Sequence, residues 1–115
     1  MAYVLSKKGV TEMIILFKYE EFGPGMGYPS IRDHLRNEPY EEKEKIIEYM
    51  KKGHVHMVNG SRMKDVFTGE PIKGEMLFMD DGKYAWTSKL IYYVDKYNLE
   101  LPEDFIDHIL NRQDL

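Results

Sequence analysis

The segment EMLFMDDGKYAW sets two apolar arms on either side of Asp81-Gly82, a pattern that few chain geometries accept other than a tight antiparallel hairpin. Asp-Gly readily takes the positive φ that a two-residue turn needs at its central positions. With that turn, Met79 faces Tyr84 and Leu77 faces Trp86 on one side, while Phe78 faces Ala85 on the other. Both sides are apolar, so one of them must be covered by helices, and the chain is committed to sheet layered on helix.

The helices that would cover it are legible from caps and stripes. In YEEKEKIIEYMKKG, Ile46, Ile47 and Met50 share a face, Glu41, Glu42 and Glu44 crowd the first turns, and Lys51, Lys52 and Gly53 close the end. Ser88 is placed to cap a helix running to about Tyr97, with Asn98 as a left-handed stop. Pro102 opens a last helix, PEDFIDHILNR, with Glu103 and Asp104 at its positive end, Arg112 at its negative end, and Phe105, Ile106, Ile109 and Leu110 as its buried stripe. Ser30 caps a short helix through Leu35, with Asp33 completing a variant capping box.

Between these lie extended segments. VTEMIILFKYEEF is read as a strand because Val, Ile and Phe favour one, although Thr11 and Gly23-Pro24 would also bound a helix. FGPGMGYPS is a loop. Asn59-Gly60 offers a hairpin turn after HVHMV, and Thr68-Gly69-Glu70-Pro71 another break. The reading is α+β: a small antiparallel sheet of hairpins packed against about three helices in one domain over residues 1–115.

Composition removes whole classes of function. Without cysteine there is no disulfide framework, thiolate zinc site or thiol nucleophile. A net charge of −4 with scattered Lys and Arg argues against DNA or RNA, whose phosphates need a basic stripe. The longest apolar run, Met13 to Phe17, is far too short to span a membrane and MAYVLSKKGV lacks the form of a leader, so a cytoplasmic protein is expected.

One constellation suggests metal chemistry. His54 and His56, two apart on a strand, project to one face, and a turn at Asn59-Gly60 would return Asp65 opposite His54 from Ser61. Two imidazoles and a carboxylate would make a three-ligand site with an open position, the basis of an alternative reading as a small metal-dependent enzyme. That set depends on one register, and a one-residue slip would dissolve it.

The other candidates are weaker. Gly23, Gly25 and Gly27 before the Ser30 helix start match neither the dinucleotide nor the phosphate-loop spacing, so no cofactor is expected. Asp80 and Asp81 are read as turn chemistry, and His34 and His108 as boundary histidines of helical stripes. No serine stands in a nucleophile turn.

Residues 81–98, DGKYAWTSKLIYYVDKYN, hold the only tryptophan and a dense run of tyrosines. Leu90, Tyr93, Val94 and Tyr97 fall on one helical face, with Ile91 at its edge, and read as core; Trp86 and Tyr84 read first as sheet rings under helices. Tyr92 points the other way, beside Asp95 and Lys96, so Tyr92, Asp95 and Trp86 are the residues offered as a partner-binding patch.

YPSIRDHL, KIIEYMKKG, DVFTGEPI, DGKYAW and LIYYVDKYNLELPEDFIDHIL together resemble a pattern of small uncharacterised bacterial proteins, D-G-x-Y-x-W followed by YYVxKYxxxLPxxF. The resemblance covers nearly the whole chain and implies no activity or site residue. Size and acidity are those of small bacterial antitoxin-like or immunity-like binders. The reading is therefore a non-catalytic cytoplasmic binding or protein-interaction module, with a structural homodimer through the 75–86 hairpin as a further alternative.

Overall fold

A computed structural model of the chain describes residues 2–4, 12–60 and 62–111. Thr11, Ser61 and Arg112, invoked above as a cap, a strand return and a helix-end cation, lie outside the described residues. The architecture is α+β. Strands β1 (Ala2–Val4), β2 (Glu12–Ile15), β3 (His54–Asn59), β6 (Met76–Asp80) and β7 (Tyr84–Thr87) form a sheet in the order β1-β2-β7-β6-β3. Strands β4 (Met63–Lys64) and β5 (Pro71–Ile72) form a separate ribbon. Helices α1 (Lys43–Lys51), α2 (Ser88–Tyr97) and α3 (Glu103–Leu110) and a 3-10 turn at Ile31–Asp33 complete the chain.

The β6–β7 hairpin forms, but one residue further along than Asp-Gly suggests. Met79 lies opposite Trp86 and Phe78 opposite Thr87, so the turn is centred on Gly82-Lys83. The reason is the side chain of Asp81: it accepts the N–H groups of Lys83 and Tyr84 at 2.9 and 2.8 Å, while the Asp81 N–H donates to the Tyr84 carbonyl. Displacing the pairing by two residues leaves each side chain on the face assigned to it. Tyr84 and Trp86 face α1 and α3, and Phe78 and Ala85 face away.

Two pairings depart from a sheet of sequential hairpins. β2 lies parallel to β7, with Ile14 beside Tyr84 and Ile15 beside Ala85, filling the edge that β7 leaves open by turning directly into α2. β3 does not fold back on the following segment; it pairs with β6 from His54–Asp80 to Asn59–Met76. The β4 segment is only two residues long and pairs instead with β5 across a turn with Gly69 at φ +77°. A five-residue partner in β6 satisfies far more of the β3 backbone than β4 offers.

The α-helix signals are accurate to about a residue, whereas the helix expected from Ser30 through Leu35 is a shorter 3-10 turn ending at Asp33, with Ser30 accepting the Arg32 N–H. Thr87, not Ser88, caps α2 by accepting the Leu90 N–H at 3.2 Å, and Ser88 instead bridges Leu77 N–H and the Glu75 carbonyl. Asn98 is left-handed at φ 58°, ending α2 as expected. Trp86, Tyr93 and Phe105 are fully buried in one continuous core with Ile46, Met50, Leu90 and Ile109.

Candidate binding cavity

His54, His56 and Asp65 do not meet as a metal site. The two imidazoles stack at 6.4 Å, but Asp65 sits in the β4–β5 turn, bonded to α2. Because β3 pairs with β6, the carboxylate brought to His56 is Asp80, at 2.9 Å from Nδ1. Among the described residues no group of three such side chains is arranged to hold an ion. The expected register was the error, since it assumed a turn at Asn59-Gly60 joining neighbours in the sheet.

Asp65 instead explains most of the tyrosine run. Its buried carboxylate accepts the hydroxyls of Tyr92 and Tyr97, each at 2.6 Å, and the N–H groups of Phe67 and Thr68 at 2.7 and 3.2 Å. Tyr93 adds a third stitch, accepting the Val66 N–H and donating to the Lys64 carbonyl. Burial alone would raise the Asp65 pKa; the two phenols and two amides outweigh it and hold the acid at about 2. The same bond to Asp65 pushes the Tyr97 phenol up to about 12.

The partner patch is accordingly corrected. Trp86 has no exposed surface, and its indole N–H donates to the Met50 carbonyl at 3.1 Å. Tyr92 is half-buried with its hydroxyl engaged by Asp65 and by Lys96 at 3.2 Å. Only Asp95 is exposed. Tyr92→Phe is expected to lower stability by about 1 kcal/mol, or Tm by about 4 °C, because one buried oxygen loses a charge-assisted donor. Thermal melts followed by circular dichroism read this directly.

Asp80 and Asp81 do more than make a turn. Asp80 receives the Gly82 N–H beside His56. Asp81 accepts the Tyr49 hydroxyl at 2.6 Å and lies 2.7 Å from His108 Nε2, tying α1 and α3 to the hairpin tip. Burial raises the Asp81 pKa, but Tyr49, the Tyr84 and Lys83 amides and His108 together bring it below the ordinary carboxylate value. His108 is thus a satisfied boundary histidine. The glycine loop is not an anion cradle either: Glu21 itself takes the Ile31 N–H, at 2.9 Å, and the Ser30 hydroxyl at the start of the 3-10 turn.

What that loop does is wall a cavity. On the sheet face turned away from α1 and α3, Ile15, Phe17, Phe78 and Ala85 form a floor, and Phe22, Gly23, Met26 and Tyr28 rise as the opposite side of a space of about 400 Å³. A bulge in β3 between Val55 and Met57 turns the consecutive residues His56 and Met57 towards it. Phe17 meets Phe78 edge to face at 6.1 Å, fixing the floor. Lys18, together with Met79 and Trp86 of the β6–β7 pair, completes the lining. A space of this size, apolar with a few polar groups, has the dimensions and chemistry of small-molecule sites.

No protein-family model, curated protein or solved structure matches the chain. Of the cavity residues, His56 and Trp86 were singled out from the sequence but for other roles, and the rest were missed because they come from three distant segments. The signal present was the second apolar face of the hairpin, where small Ala85 stands among large neighbours, and a glycine-rich loop carrying Phe22, Met26 and Tyr28. Among the described residues no helix is long and apolar enough to cross a membrane.

Proposed function

We propose that the chain is a non-catalytic binding module that takes a small, largely apolar ligand into the cavity between the open sheet face and the 20–29 loop. The observation carrying this reading is the cavity itself: about 400 Å³, walled by Phe17, Phe22, Phe78 and Met57. Aromatic and methionine walls adapt to apolar guests, and methionine in particular repacks at low cost. Two of the ionisable clusters, around Asp65 and Asp81, are spent elsewhere, on helix–sheet stitching and a turn, and the one carboxylate beside the cavity, Asp80, is engaged by His56 and the Gly82 N–H, which favours binding over catalysis. A small ligand is preferred to a protein partner because, of the residues offered for such a partner, Trp86 is buried and Tyr92 is already bonded, leaving Asp95 alone exposed.

The test is titration with N-phenyl-1-naphthylamine, a neutral apolar dye that fluoresces on leaving water. Saturable enhancement at one dye per chain is expected. Met57→Glu, at a position about half exposed (49%) on the cavity rim, should weaken uptake about tenfold with Tm unchanged, since a charge at the mouth opposes desolvation. Absence of saturable binding by the wild-type chain removes the proposal.

A further inference from the structure

Resting on the cavity reading, we infer that its ligand is an amphipathic anion, an apolar tail carrying a carboxylate-type head that sits against Lys18 and His56. Among the described residues the two basic side chains that line the cavity are these, and no Asp or Glu lines it. Lys18 is half-buried, and among the described residues no carboxylate lies within ion-pair distance of it. The Lys18 ammonium, on the wall of a largely apolar space, is the charge with which the head of an anionic ligand pairs. His56 is a polar neighbour of that head, not a second charge. Its Nδ1 lies 2.9 Å from buried Asp80, which fixes the ring where the bulge has turned it to the cavity. Asp80 also holds the Gly82 N–H and stands outside the lining, so its charge is not presented to the guest. The result is a space with an apolar body and a positively biased side, the arrangement that sorts acids from alcohols and amines of the same chain length.

Calorimetric titration of the full chain with decanoate, decanol and decyltrimethylammonium separates head from tail. Decanoate is expected to bind about fivefold tighter than decanol, the size of a single partly screened ion pair, with the ammonium compound weakest. Lys18→Gln should bring decanoate down to the level of decanol with Tm unchanged, and Lys18→Arg should keep the preference. Equal affinity for decanoate and decanol, or tightest binding of the cation, overturns the head-group inference and leaves the cavity reading standing. Retention of the decanoate preference in Lys18→Gln overturns the role of Lys18. Binding of none of the three by wild type removes both readings.

Discussion

Asp65→Ala is expected to lower the unfolding free energy by about 3 kcal/mol, because several partly or wholly buried donors lose their acceptor, each at a cost of about 1–3 kcal/mol where water does not replace it. The carboxylate is inaccessible to solvent and serves four donors, the hydroxyls of Tyr92 and Tyr97 and the amides of Phe67 and Thr68. Alanine leaves these groups facing one another without an acceptor, and Lys96, 3.9 Å from the same oxygen, without its counter-charge. Urea denaturation measures the loss. A change below 1 kcal/mol would show that water enters and replaces the carboxylate.

The same residue sets an acid limit. Its pKa is about 2 in the folded chain against 3.8 ordinarily, so the unfolded chain takes up the proton first. The stability it contributes is complete above the ordinary value and is lost as pH falls towards about 2. Wild type should therefore lose stability more steeply than Asp65→Ala across that interval, a difference that melting curves at successive pH values resolve.

Gly53→Ala is the second large effect, with an expected loss of about 2–3 kcal/mol from overpacking. Gly53 follows α1 and leads into β3, and a Cβ there would stand 2.6 Å from Cζ2 of Trp86, with the Asp80 and Met50 carbonyls at 3.2 and 3.3 Å. The indole cannot step aside: it is wholly buried, packed against Phe105 at 5.5 Å and bonded through its N–H to Met50. Equilibrium denaturation should show the loss with an unchanged slope, and near-ultraviolet dichroism should report a displaced indole. An unshifted midpoint would mean that the α1–β3 junction gives way at little cost.

Local signals predicted local structure well. The stripe of Ile46, Ile47 and Met50 and the left-handed Asn98 are where cap and period rules put them, and Pro102 misses by one position, standing as the cap of a helix that begins at Glu103. Rules of this kind work because a helix or turn satisfies its backbone within a few residues. What failed was partner choice among distant strands. HVHMVNG reads as half a hairpin, yet β3 finds β6, and that single difference exchanges Asp65 for Asp80 as the neighbour of His56. Tyr92 was misplaced for a related reason: helical periodicity sets a side chain outside its own helix's stripe but says nothing of the β4–β5 ribbon that arrives to meet it. The cavity lies further still from sequence rules, being assembled from β2, the 20–29 loop and the β3–β6–β7 face.

The parallel junction of β2 with β7 carries a kinetic meaning. Ile14 and Leu16 donate their amides to the carbonyls of Lys83 and Ala85, a closure across most of the chain, whereas β6, β7 and α2 are sequence neighbours. Entropy disfavours the long closure, so the hairpin and its helix are expected to assemble before β2 joins them. Ile15 and Phe17 arrive with that late strand, or directly behind it, and they are part of the cavity floor. A guest would thus act as a latch on the N-terminal edge, slowing hydrogen exchange at Ile14 and Leu16 far more than in the β6–β7 hairpin.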